Sequence, residues 1–325
     1  MPKWFKKRSA FLLILAVIYL LIIPLFLGDS KYLLNVFTNC AVLSVSALGV
    51  WITFSMGLVN IGQGAFCTIG AYTTALLSVR ADLPFWLCLP ISGLTAAAIG
   101  VLIGMPILRL KGVYFAMITL CFGEAVRLVF MNGGNFTGGP NGIWGVPRPG
   151  ALKMAGMTII PAFEAADYLS YYFLAAFLLI LSILIMWRLD RSRLGQIFRT
   201  IKQSDTLASS VGIHIAKYRV IAFGIGCFFG GIGGSFLVAY MTNIYPNSYT
   251  VWDSINFILY CFLGGLEFLF GPIAGTFLLA GAFEILRFIQ EYQALLYACV
   301  MIAAILWLPN GILSIGTWTK FRRAK

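Results

Sequence analysis

Residues 168–187 read YLSYYFLAAFLLILSILIMW, twenty residues without a charge, set between Asp167 and Arg188. About 20 apolar residues are what a helix needs to cross about 30 Å of hydrocarbon, and the run lacks the polar alternation of a barrel strand. The solvent for this segment is a bilayer. Immediately after it the chain changes character: residues 197–214, IFRTIKQSDTLASSVGIH, are polar in a protein that is 60% hydrophobic and only 10% charged. The fold is decided by the first stretch, and the function is sought in the second.

Outward from this point the same signal recurs. A soluble domain is about a quarter charged and at most about half apolar, so a mean hydropathy of +0.92 over 325 residues lies outside that class. About ten apolar segments of spanning or near-spanning length are expected, at 11–27, 33–57, 62–79, 86–108, 113–131, 168–187, 219–241, 251–266, 271–287 and 292–308. The basic N-terminal flank and apolar run resemble a secretory signal but lack a clear small-residue cleavage site, so an uncleaved first span is expected. With the N-terminus inside, 17 of the 23 Lys and Arg residues fall on one side, among them Arg109, Arg188, Arg199, Lys202, Lys217 and Arg219, and 6 on the other. Positive residues are retained in the cytoplasm, which places both termini there and favours an even number of spans. The expectation is an all-α polytopic membrane protein forming a single transmembrane domain over residues 1–325.

The net charge of +12 invites a nucleic-acid reading. No basic helix or aromatic-basic sheet pattern supports it. No nucleophile and base pair stands out for an enzyme, since the only histidine is His214 and it lies in the cytoplasmic loop. The seven cysteines fall in apolar runs without a CxxC pair and read as small buried hydrophobes rather than metal ligands. No catalytic, cofactor or metal residue is expected, and without a GxxxxGK[ST] loop any ATP is held by another chain.

Three features remain as candidates for a path through the membrane. Glu124 and Glu284 each have an arginine three residues on, Arg127 and Arg287, on one helix face. An ionised group in hydrocarbon costs about 2.5–3.5 kcal/mol on insertion scales, so each pair faces a wet cavity or serves as a structural pair near the external surface. The flanks CFGEAVRLVF and GAFEILRFIQ share F, E and R at similar offsets, a hint of an internal repeat. GLVNIGQGAF places Asn60, Gln63 and Gly64 among glycines between two apolar segments, and reads equally as a discontinuous helix beside a pathway or as a tight cytoplasmic turn. Gly226, Gly230 and Gly234 make a smooth face for close helix packing. The external loop of about 132–167 is rich in Gly and Pro and is expected to be built from turns.

Plotted at about 100° per residue, Leu194, Ile197, Ile201, Ala208 and Val211 form one stripe interrupted by Ser204. Arg199, Lys202, Thr206, Ser209 and Ser210 point away, and Gly212 offers a stop. Periodicity leaves two occupants open for the stripe: lipid headgroups, or a groove in a cytoplasmic partner.

An ordered set of stretches resembles the LivM-type family, permease subunits of bacterial branched-chain amino acid ABC importers. They are GLVNIGQGAFCTIGAYTTALL, RLKGVYFAMITLCFGEAVRLV, NFTGGPNGIWGVPRP, RLGQIFRTIKQSDTLASSVGI, KYRVIAFGIGCFFGGIGGSF, LGGLEFLFGPIAG and WLPNGILS. The resemblance implies a multi-pass protein of the bacterial cytoplasmic (inner) membrane that pairs with a second related permease as a heterodimer. It also implies two cytoplasmic ATP-binding subunits, which hold ATP and Mg, and a periplasmic or surface-anchored solute-binding protein. On that analogy the stretch at 197–212 is a coupling helix between segments six and seven, seated in an ATPase groove. The residues carried over are Arg199, Asp205, Ala208 and Gly212, and the coupling surface is expected over Ile197, Arg199, Ile201, Lys202, Asp205, Ala208, Val211 and Gly212. The translocation path is expected at Asn60, Gln63, Gly64, Glu124 and, in the TGGPNG motif, Thr137, Gly138, Gly139 and Asn141. The chain departs from the family in carrying Lys202 and Gln203 where an Arg-Glu pair is commoner, and Phe198 where a small or basic residue is commoner. Branched-chain or other apolar amino acids are the implied cargo. Urea, amides or small carboxylates are the alternative within the same family, and a secondary transporter using Glu124 is the alternative outside it.

Overall fold

The computed structural model describes residues 30–285 apart from 111, 155–156, 161–162 and 165–166, together with 295, 298–299, 302, 306 and 311–314. The expected first segment at 11–27, most of the last at 292–308, Arg287 and both termini lie outside the described residues.

Helices dominate. Among the described residues, those of six residues or more are, in chain order, α1 (Lys31–Phe54), α2 (Gln63–Arg80), α3 (Phe85–Ile107), α4 (Val113–Met131), α5 (Tyr168–Asp190), α6 (Arg193–Gln203), α7 (Asp205–Ser210), α8 (Ile215–Met241), α9 (Val251–Gly264) and α10 (Gly271–Ile285). Five of them, α1, α3, α4, α5 and α8, are long and apolar enough to cross a membrane, and they coincide with the expected segments at 33–57, 86–108, 113–131, 168–187 and 219–241. The expected span at 251–266 is shorter: α9 has 14 residues, about 21 Å of helix against about 30 Å of hydrocarbon. Its start is fixed by a capping box, in which Asp253 Oδ2 accepts from Thr250 N at 2.7 Å and Thr250 Oγ1 at 2.9 Å.

Helix α8 is the axis of the bundle and packs along α1, α2 and α3. Its glycines permit this, because without side chains the backbones close to contact distance. A Cβ at Gly226 would sit 2.5 Å from the carbonyl oxygen of Gly49 in α1, and one at Gly234 would sit 1.9 Å from that of Cys67 in α2. Buried side chains from α1, α5, α8 and α9 complete the core, with Trp51, Phe236, Phe257 and Tyr171 among them.

Two sequence expectations need correction. The loop at about 132–167 carries short strands as well as turns: β1 (Ile143–Trp144) pairs antiparallel with β4 (Asn243–Ile244), which follows α8, and β2 (Leu152–Met154) pairs antiparallel with β3 (Met157–Ile160). Of the cysteines, Cys121 and Cys299 are exposed while the other five are buried. Cys121 stands on α4, a helix that its own chain scarcely covers.

Candidate functional site

The first cluster forms where α2 begins. After α1 ends at Phe54 the backbone turns through Met56 and Gly57, whose N–H groups return to the Thr53 and Phe54 carbonyls. The chain then runs without helix until Gln63. Gln63 Nε2 donates to the carbonyl of Ser46 at 3.2 Å and to that of Gly226 at 3.0 Å. Ser46 lies eight residues before the end of α1, about 12 Å up the helix at about 1.5 Å per residue. Helix α2 therefore starts inside the bundle rather than at its rim. GLVNIGQGAF is therefore neither a tight turn at the rim nor an interrupted helix: it is a non-helical run that delivers Gln63 to the level of Ser46, where α2 begins.

The non-helical backbone there must be satisfied by protein, since lipid offers nothing. Asn60, fully buried, accepts from Gly62 N at 2.9 Å and donates from Nδ2 to Gln63 Oε1 at 3.1 Å. Ile61 N donates to Thr119 Oγ1 of α4 at 3.1 Å, and Gly64 N to Ser254 Oγ of α9 at 2.9 Å. A Cβ on Gly64 would meet that Ser254 oxygen at 2.6 Å.

Beside this start lies a small recess lined by Ile61 and Ala65 of the α2 entry, Gly123, Glu124 and Arg127 of α4, and Tyr249, Thr250, Val251 and Ser254 at the head of α9. Arg127 Nε donates to both Glu124 oxygens at 3.0 Å, and Nη2 makes a further, shorter contact. Arg127 Nη1 reaches Asn247 Oδ1 at 2.8 Å. The Glu124 side chain is 41% exposed and that of Arg127 23%, so the pair is wet or covered by something other than its own chain.

The TGGPNG residues do not join this recess. Thr137 Oγ1 donates to the Phe130 carbonyl at 2.6 Å and accepts from Gly139 N at 3.3 Å. Gly138 has φ +77°, and a Cβ there would fall 1.9 Å from the Gly142 oxygen. The Asn141 carbonyl accepts from Trp144 Nε1. Arg80, at the end of α2, donates to the Asn135 and Phe136 carbonyls. The motif is a tight cap over the C-terminal ends of α2 and α4. Glu284 stands elsewhere again, accepting from Tyr32 Oη at 3.0 Å.

The second cluster is the polar stretch between α5 and α8. It is not one helix: Ser204 is extended at φ −162° and ψ 120° and separates α6 from α7, its hydroxyl capping Leu207 N. The physical reason is local competition, as a serine side chain offers the backbone an N-cap instead of helix continuation. Because of the break, the expected stripe divides. Ile201 and Ala208 are buried in the chain's own core together with Phe198, and Ile197 and Leu194 pack at its edge. Val211 is 71% exposed and Leu207 67%. Gly212, at φ +81°, ends α7, and Ile213 N bonds back to the Ala208 carbonyl.

Two charged residues of this unit are tied back to the neighbouring helices. Asp205 receives Arg219 Nη2 at 3.0 and 2.9 Å, with side chains only 19% and 8% exposed, which ties α7 to the foot of α8. Arg199 donates to the Asp190 carbonyl at 2.9 Å and its carboxylate at 2.6 Å, which ties α6 to the end of α5. Lys202 is exposed beside Gly57. Sequence reasoning missed Arg219, Leu207, Asn247 and Ser254. Only Arg219 left a trace, as a charge at the edge of an apolar segment.

A polytopic helical membrane protein with one helix that starts inside its bundle and an anchored polar two-helix unit is the class these features define. Residues 32–305 match the sequence model of the family described as branched-chain amino acid transport system / permease component. The chain belongs to that family. It is 33% identical over 299 residues to the high-affinity branched-chain amino acid transport system permease protein LivM of Escherichia coli strain K12, covering 87% of this chain and 70% of the relative. It is 25% identical over 301 residues to the autoinducer 2 import system permease protein LsrC of Enterobacter sp. strain 638, covering 90% and 79%. It is 26% identical over 202 residues to the guanosine ABC transporter permease protein NupQ of Bacillus subtilis strain 168, covering 60% and 62%. No solved structure matches.

Proposed function

We propose that this chain is the membrane-spanning permease of an ABC importer for branched-chain or other apolar amino acids in the bacterial cytoplasmic membrane. A second, related permease completes the pathway, two cytoplasmic ATPase subunits hold the ATP and Mg, and a solute-binding protein delivers cargo at the outer face. The chain itself performs no catalysis. The observation that carries this reading is the α6–α7 unit. Its inner face is locked into the bundle by Ile201, Ala208 and the Asp205–Arg219 pair, while Leu207 and Val211 stand bare four residues apart on its outer side.

That arrangement suits a lever. A force applied to Leu207 and Val211 passes through α7 to the foot of α8, and α8 carries the Gly226 carbonyl that holds Gln63 at the start of α2. Two arrangements of this chain of contacts are what alternating access requires. The coupling contacts thus fall to Leu207, Val211, Lys202 and Gly212, with Ile197, Arg199, Ile201, Asp205 and Ala208 fixing the unit in place. The Asn60, Gln63, Gly64 and Glu124 cluster belongs to the path, and the Thr137–Asn141 cap closes its outer rim.

Helix α4 supports the second permease. Val113, Tyr114, Met117 and Val129 are all more than half exposed, on the same helix as a charged pair whose exposure to lipid is costly.

Uptake of L-leucine into proteoliposomes containing the assembled complex tests the reading. Accumulation that needs ATP inside and solute-binding protein outside is expected. Uptake driven by a proton gradient without any ATPase subunit would overturn it in favour of a secondary transporter that uses Glu124.

A further inference from the structure

Helix α8 reaches α9 through residues 242–250, a segment that contains β4 and a 3-10 turn at Pro246–Ser248. It leads from β1, beside the cap at the C-terminal ends of α2 and α4, to Thr250, whose carbonyl oxygen lies 3.4 Å from where a Cβ on Gly64 would stand. We propose that this strap is a gate, poised to lift away from Tyr72 and open the path on the cap's side. That side is the outer one in the importer reading, on which the proposal rests.

Three observations meet at the strap. First, its hinge residue Thr242 has φ +58° and ψ 12°. A β-branched residue in the left-handed region is strained and stays there only where its surroundings hold it, whereas glycine takes the same turn at no steric cost. Second, the hydroxyls of Tyr72 and Tyr249 are buried with no hydrogen-bond partner among the described residues. Tyr72 is fully buried with its ring stacked on Phe130 at 4.0 Å, and Tyr249 of the strap packs in the same cluster, with Val146, Val238 and Ile244. A hydroxyl shut away unpaired costs free energy that an arrangement open to water recovers. Third, the polar ties that hold the strap to its neighbours are few among the described residues. They are the two residue pairs of β1 with β4, Val146 N donating to the Thr242 carbonyl at 3.0 Å, and Arg127 Nη1 donating to Asn247 Oδ1 at 2.8 Å. Strain at the hinge and unmet hydroxyls beneath it thus oppose a small set of bonds, the balance that a two-state element needs.

The test uses the complete importer in right-side-out vesicles, with exposed Cys121 and Cys299 replaced by serine. Val238→Cys, at a site 2% exposed in the Tyr72 cluster, is the reporter. Its labelling by a membrane-impermeant thiol reagent, above that of the parent without it, reads how often the strap lifts. Relieving the closed arrangement makes lifting rarer, so Thr242→Gly and Tyr72→Phe should each slow labelling about fivefold or more, with the melting temperature held or raised. A short thiol crosslinker between Trp144→Cys and Asn243→Cys, which face each other across β1 and β4, should cut L-leucine uptake at least about tenfold, and reductant should restore it. Labelling that neither variant slows, or full uptake through the crosslinked strap, overturns the proposal. A wild-type complex that carries no leucine while Thr242→Gly still slows labelling would sink the importer reading and leave the gate standing.

Discussion

Helices α8 and α4 are both apolar enough to span a bilayer, yet 72% of the apolar window of α8 is buried within the chain and only 11% of that of α4. The first is built from glycines and small residues that draw three neighbours onto its backbone. The second presents Tyr114, Met117 and Val129 outward and carries an ion pair. Apolarity is common to both and explains neither difference. In lipid, close packing and polar contacts decide association, because hydrocarbon tails are as apolar as leucine. Helix α8 is a scaffold within the chain, and α4 is a face that its own chain leaves open.

The largest effect should come from the foot of the scaffold. Arg219→Ala leaves Asp205 charged and nearly buried, and breaking such a pair from one side costs about 3–5 kcal/mol. Thermal unfolding of the purified subunit in detergent should fall sharply. The double variant with Asp205→Ala should recover part of the loss. A single variant as stable as wild type would break the view that α7 is rigidly tied to α8.

Next comes the glycine face. Gly234→Val places its Cβ where the Cys67 carbonyl oxygen already stands, and overpacking of this kind costs about 1–3 kcal/mol or more. Reduced extraction of folded protein from membranes is the expected readout. The same change at Gly123 of α4, where a Cβ meets nothing within 4 Å, should leave folding intact.

The α6–α7 unit allows a finer division. Ile201→Asp, at a site 2% exposed, buries an unpaired carboxylate and should destabilise the subunit. Val211→Asp and Leu207→Asp should shift stability by no more than about 0.5 kcal/mol and still weaken ATPase binding about tenfold or more. Co-purification of the ATPase with each variant checks this, and normal binding with Leu207→Asp and Val211→Asp combined would place the docking face elsewhere.

Much of this was legible in the sequence, for identifiable reasons. Uncharged runs such as 168–187 report their solvent through composition alone, so the five long spans needed no tertiary information. Ser204 was visible as an interruption of the stripe, but helical periodicity treats it as a defect. Its capping geometry converts it into a break that sends Val211 outward and Ala208 inward. The glutamate and arginine of α4 were readable because they are three residues apart. Asn247 and Ser254 were not, because each reaches its partner across more than a hundred residues and carries no local pattern. The depth of Gln63 was equally hidden, since glycine-rich turns and glycine-rich re-entrant segments have the same composition.

The smallest effect is the sharpest test of the contrast. Val129 on α4 is 67% exposed and Val238 on α8 is 2% exposed, so the same truncation to alanine removes contacts in one case and almost none in the other. Val238→Ala should cost roughly 1 kcal/mol through lost packing. Val129→Ala should move the isolated subunit by less than about 0.5 kcal/mol. If α4 faces a second permease, Val129→Ala will nevertheless loosen the assembled pair, because the side chain is then buried between subunits. If α4 faces lipid, it will change neither. Comparing unfolding of the lone subunit with dissociation of the complex separates the two, and equal insensitivity in both would return α4 to the bilayer and leave its ion pair to be covered by water alone.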